Sequence, residues 1–207
     1  MSPVIPPIKS QGIKTKLVPL INDLILRSGV PLKARWIEPF FGTGVVGFNS
    51  PLCGTHIAGD TNPHLIRFYQ AIQNNEITAH TMRAYLEAES RSLQSAAEDG
   101  YVHFRDRFNA EHNPYDFLFL SRAGFNGMMR FNRSGDWNIP FCKKPDRFAP
   151  AYVTKICNQV GRVAQIIGSK TWEFHNVPFE EIIGRAEAGD LIYCDPLRRL
   201  LQRMDRA

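Results

Sequence analysis

Three stretches of this 207-residue chain place reactive residue types at informative spacings. The first is EPFFGTGVVGFN, residues 38–49. The preceding ARWIEPF reads as a short strand ending at Glu38-Pro39, so Gly42 and Gly44 fall in a turn that should open a helix. Glycines in such a turn let the backbone bend tightly and come close to a ligand. The second stretch is THIAGD, another strand-like run, which ends on Asp60 sixteen residues past Gly44. A carboxylate there can accept hydrogen bonds from ribose hydroxyls. The third is DLIYCDP, where an apolar run delivers Asp195-Pro196 to the end of a strand.

Together these describe a nucleoside site, with a tight turn that binds nothing as the plain alternative. No Lys-Ser or Lys-Thr follows the glycines, so the loop is not the phosphate-cradling kind. Glu38, just before it, would repel a phosphate but tolerate an ammonium or a sulfonium. S-adenosylmethionine carries both, and is the expected cofactor.

Composition sets the frame. Hydrophobic residues make up 43% and charged residues 22%, as in a soluble globular protein. The formal charge of +5 and pI near 9.1 suit a polyanionic partner. No apolar run is long enough to span a membrane, and Met1 to Gln11 lack the apolar core of a signal peptide. The cysteines (53, 142, 157 and 194) are scattered and the six histidines lack ligand spacing. Reduced thiols, a cytoplasmic location and no structural metal are expected.

The elements that must position these residues follow from periodicity. Leu17, Leu20, Ile21 and Leu24 mark a helix over 14–27, with Pro19 tolerable in its first turn. Residues 64–112 read as a long charged helical region, and 113–148 as a short helix followed by an irregular or hairpin segment. Val153, Ile156, Val160, Val163 and Ile167 mark an amphipathic helix, and TWEFH and DLIYC two more strands. Strands alternating with helices at both ends argue for an α/β protein with a parallel sheet.

Six blocks carry a more specific likeness: GIKTKL (12–17), EPFFGTG (38–44), GDTNPHLI (59–66), FRDRFN (104–109), FLFLSRAGFNGMMRFNRSGDWNIPF (117–141) and DLIYCDP (190–196). In this order, and over nearly the whole chain, they resemble the Dam-like DNA adenine-N6 methyltransferases. The resemblance implies an incomplete Rossmann-like S-adenosylmethionine-dependent methyltransferase sheet, formed by 1–63 and 149–207. Residues 64–148 would be an inserted, mostly helical target-recognition module. Phe40, Gly42 and Gly44 would lie at the cofactor with Glu38, Asp60 would hold its ribose, and Lys14 would meet its carboxylate or nearby DNA. Val177 to Phe179 would neighbour its adenine. Where the family often has Trp-Ala-Gly-Gly-Lys, this chain has Ser10-Gln11-Gly12-Ile13-Lys14, without the aromatic contact.

The implied partner is double-stranded DNA, and a cognate restriction endonuclease would fit the same family. RAGFNGMMRFN matches the family's DNA-reading hairpin. Arg122 and Arg130 would contact phosphates or guanine edges, Asn126 a base, and Phe125 the space left by an extruded base, with Met128 and Asn132 alongside. Members reading GATC often have Leu then Cys where this chain has Met128 and Met129. The plain alternative is a hairpin turn at Asn126-Gly127 with solvated arginines.

The implied catalytic motif is Asp-Pro-Pro-Tyr. Its carboxylate and first proline carbonyl accept the two N–H bonds of adenine's amino group, and its aromatic ring stacks on the flipped base. Here Asp195 and Pro196 are followed by Leu197 and Arg198. A truncated, inactive chain with an open strand edge is therefore expected. One choice of codons for Leu197, Arg198 and Arg199 reads Pro-Tyr-Ala in a shifted frame, the basis for expecting a frameshift. An ordinary short helix with Leu197, Leu200, Leu201 and Met204 on one face is the alternative. The competing functions are a non-catalytic DNA- or cofactor-binding remnant and an unrelated enzyme acting on another nucleoside.

Overall fold

The computed structural model describes residues 2–95 and 97–196. The expectations for Leu197, Arg198 and a helix through Met204 lie outside them. Four short parallel strands form the sheet: β1 (Trp36–Glu38), β2 (His56–Gly59), β3 (Trp172–His175) and β4 (Leu191–Ile192). Their order is β3-β2-β1-β4, with Trp36 level with His56 on one side and Leu191 on the other. The chain thus winds outward from β1 through β2 to β3, then returns to place β4 on the opposite side. Such a reversal opens a crevice beyond the carboxyl ends of the strands. Every residue of β1 is buried, as an inner parallel strand requires. Arg35 fixes β4 against β1 with a bidentate pair to Asp190, at 2.9 and 2.6 Å.

The helix expected over 14–27 is α1 (Val18–Arg27), with Pro19 in its first turn. Its apolar face differs from expectation. Leu17, Leu20 and Leu24 are 45%, 57% and 58% exposed, because α1 packs through Val18 and Ile25 against Trp36, Val45, Val46 and Leu52.

The long helical region resolves into α2 (Pro63–Gln73), α3 (Ala79–Ser95) and α4 (Ala97–Glu111). Asn75 breaks it after α2 by taking a left-handed φ of 58°. Asn62 and Asn113 cap α2 and α5 (Pro114–Ala123) through their side chains, each followed by a proline in the first turn. The segment after α5 forms a hairpin held by Gly124–Phe141 and Phe131–Trp137 bridges. Next comes α6 (Pro150–Ser169), which buries all five residues of its expected apolar face, then β3 and α7 (Phe179–Ile183).

One buried cluster runs from Phe41 and Phe174 at the sheet, through Phe68 and Phe117, to Phe104, Phe119 and Trp137. Among the described residues no helix is long and apolar enough to cross a membrane.

Candidate active site

The glycine loop is fixed from three sides. Phe41 donates its N–H to the Gly59 carbonyl at 2.8 Å, Tyr69 donates its hydroxyl to the Thr43 carbonyl at 2.7 Å, and Asp60 accepts the Gly42 N–H at 2.8 Å. Gly42, Gly44 and Gly47 stand at G-x-G-x-x-G spacing but do different work. Gly42, at φ 52°, has open space where a Cβ would point, so ligand can approach its backbone. Gly44, expected at the cofactor, faces inward: a Cβ there would lie 2.3 Å from the Phe41 ring. It shapes the turn from below. A Cβ on Gly47 would lie 2.4 Å from the Glu38 carboxylate, so the third glycine makes room for that acid.

Glu38 is 2% exposed and accepts hydrogen bonds from the Trp36 indole, at 2.9 Å, and from the Gly47 backbone. Burial pushes its carboxyl up to about 8, and the nearby Asp195 and Asp60 add to the shift. Asp60 is also raised by burial, though N–H groups of Asn62 and Gly42 partly offset this. Asp195 pairs with Lys14 at 2.6 Å. Just before it, Tyr193 stacks on Trp36, with ring centroids 5.6 Å apart.

These groups border one cleft of about 990 Å³. Lys14, Glu38, Phe40, Gly42, Asp60, Asp195 and Pro196 all line it. Pro178 and Phe179 line it too, and Phe179 stacks on Phe40 at 5.1 Å. Val177 instead packs with Ile37, Ile57 and Ile182. The open space over Gly42, a stacked aromatic pair and a set of carboxylates fit a nucleoside bearing positive charge.

The hairpin after α5 reaches the same cleft through Met128 and Met129. Asn126 and Gly127 have φ of 52° and 66°, and the Met128 N–H bonds the Phe125 carbonyl. Asn-Gly takes the left-handed backbone of a tight turn here, but this turn lies within the first arm: the hairpin itself reverses over 132–136, where the Asn132 N–H bonds the Asp136 carbonyl at 2.9 Å. Phe125 stands 48% exposed, and Asn126 beside it is exposed too. Arg130 is exposed, with its guanidinium held by Asn138 at 2.9 and 3.1 Å.

Two expected DNA contacts are occupied within the protein. Arg122 is half-buried, donating to the Pro7 carbonyl at 2.7 Å and to Gln159 at 2.6 Å. Burial and the neighbouring Arg147 lower it to about 10. The Asn132 side chain accepts N–H groups of Ser134 and Asp136 and so shapes the turn beyond.

Sequence reading missed Tyr193, Met129 and Lys9. Alternation along DLIYC would have placed Tyr193 on the face of Leu191, and both pack by Trp36. Nothing in the local sequence reveals Lys9, whose stem lies under Gly127.

Comparison with known proteins agrees with this geometry. The sequence model of D12 class N6 adenine-specific DNA methyltransferases matches residues 10–196. The chain is 27% identical over 183 residues to a DNA adenine methylase of Vibrio cholerae, covering 86% of this chain and 60% of the relative. It is 29% identical over 189 residues to the DNA adenine methylase of Escherichia coli K12, again with 86% and 60% covered. A DNA N-6-adenine-methyltransferase of Escherichia phage P1 is 30% identical over 174 residues, covering 81% of this chain and 21% of that protein. The chain thus spans about 60% of the length of the bacterial relatives it matches. With the match extending from the first turn before α1 to the residues that close the cleft, this chain belongs to the D12 class of N6 adenine-specific DNA methyltransferases.

Proposed function

We propose that the chain carries the cofactor and DNA-reading parts of an enzyme that moves a methyl group from S-adenosylmethionine to adenine N6 in double-stranded DNA. The supporting observation is that one cleft joins Glu38, Asp60 and Asp195 to Met128 and Met129 of the hairpin. Bound S-adenosylmethionine would supply a methyl group on a cationic sulfur. Glu38 and Lys14 would face its charged groups, Asp60 its ribose, and Phe40 with Phe179 its apolar parts. Asp195 and the Pro196 carbonyl would accept the N–H bonds of the adenine amino group and so orient its lone pair. For Asp195 to do this, Lys14 must share or release it.

Residues 64–148 serve on this reading as the recognition module. Phe125 would fill the space left by the extruded base, Asn126 and Arg130 would read bases, and Met128 would line the path between hairpin and cleft. Arg122 and Asn132 would act by positioning the hairpin. Met128-Met129 stand where GATC readers often carry Leu-Cys, which leaves the recognition sequence open.

Leu197 and Arg198 favour a second reading, a DNA- and cofactor-binding protein with little or no transfer, because they leave the flipped base without its aromatic platform. Transfer of a labelled methyl group to unmethylated duplex DNA tests both. N6-methyladenine above background would show that the site works with Leu197 and Arg198. Binding of DNA and cofactor without transfer would favour the second reading, and binding of neither would refute both.

A further inference from the structure

The carboxylates of the cleft differ in what faces them. Asp195 has Lys14 at 2.6 Å, and Asp60 accepts two backbone N–H groups. Glu38, the most buried of the three, receives only the neutral donors of Trp36 and Gly47. The titratable groups around it bring no positive charge: Asp195 and Asp60 are acids, and Tyr69 on α2 and Tyr193 beyond β4 are phenols pushed up by burial. Lys14 is engaged by Asp195. A buried acid in these surroundings keeps its proton at neutral pH until a cation reaches it. The Trp36 indole and the Gly47 N–H hold the carboxyl in the space that the missing Cβ of Gly47 leaves for it, so Glu38 answers a ligand in place, by changing protonation.

We propose that Glu38 gives up its proton when the cationic cofactor enters, so that binding of S-adenosylmethionine is a proton exchange and Glu38 sets the cleft's preference for positive charge. The inference rests on the cofactor reading above. The O–H bond of the Glu38 carboxyl breaks, the proton passes to buffer, and the cofactor's positive charge takes its place; no other bond changes. The ligand-free carboxyl titrates at about 8 and the bound one lower. Affinity therefore rises with pH up to that point, about tenfold per unit well below it.

Calorimetric titration of the chain with S-adenosylmethionine tests this. At about pH 6.5 the cofactor's own amino group stays protonated. Titrations in phosphate and in imidazole, whose ionisation enthalpies differ, should give heats that differ by about one proton per cofactor bound. Glu38→Gln, confirmed folded by circular dichroism, should bind with the same heat in both buffers. Equal heats for the wild type, or a buffer dependence that persists in Glu38→Gln, would overturn the proposal. Should that variant not fold, the wild type alone decides: affinity rising about tenfold between pH 5.5 and 6.5 supports the exchange and a flat profile overturns it. Absence of binding at every pH would instead overturn the cofactor reading, and this inference with it.

Discussion

Asp195 is held at 2.6 Å by Lys14, at the end of a strand that reaches it from the opposite side of the sheet to Asp60. On the proposed function, Asp195→Ala should abolish any methyl transfer and leave DNA binding within about twofold, since no hydrogen bond or ion pair given above ties the hairpin after α5 to Asp195. Transfer at the wild-type rate would remove Asp195 from the mechanism. The histidines matter for stability. Burial holds His56, stacked beside Trp36 and Trp172, at about 4; burial and then His112 do the same for His64. The unfolded chain binds these protons near 6.5, so their contribution is full above that pH and is lost as pH falls toward 4. Glu38 has the opposite sign, its raised carboxyl contributing most at low pH and losing it as pH rises toward 8. The informative quantity is therefore the difference between wild type and His56→Phe. In urea unfolding, the wild type should lose ground to the variant between about pH 7.5 and pH 5. A constant difference would mean that His56 is not held neutral.

At the level of elements, the loop between β1 and the short helix at Gly47–Asn49 and the packing of α3, α4 and α5 carry the sharpest expectations. Gly47→Ala would force a methyl against Glu38 and should cost about 1–3 kcal/mol in urea unfolding. An unchanged midpoint would show that Glu38 can yield. Arg107 on α4 reaches Asp116 on α5 at 2.5 Å and Glu89 on α3 at 3.0 Å, and Asp116 also bonds the Tyr85 hydroxyl. Asp116 is wholly buried, so Arg107→Met should cost about 3–5 kcal/mol by leaving a carboxylate without its cation. A loss below about 1 kcal/mol would mean that Tyr85 alone satisfies it.

Elements were legible where local pattern and tertiary demand agree. The strands and α6 follow from apolar runs and helical spacing, and the Asn-Gly turn from the φ its residues tolerate. α1 was misread on its buried face because Leu17, Leu20 and Leu24 share a helical stripe with no described element to cover it. The engagements of Arg122 and Lys14 within the protein were not legible because those partners, Pro7, Gln159 and Asp195, arrive from distant parts of the chain.

Across the whole molecule, the +5 charge makes long-range attraction to a polyanion the default, while the cleft itself is acidic. DNA affinity should fall steeply as salt rises, giving a straight, descending plot of log affinity against log salt. A flat plot would exclude phosphate contacts and, with them, DNA as the partner. The architecture has a temporal consequence as well. Arg35 and Asp190, which clamp β4 to β1, are 155 residues apart in the chain. During synthesis the glycine loop emerges early and can turn against β2, but the wall that bears Asp195 cannot be laid until almost everything between has been translated and packed. A ribosome-bound intermediate would then have a half-open cleft, with β1 waiting for its second neighbour, and this late long-range pairing is the natural slow step of folding.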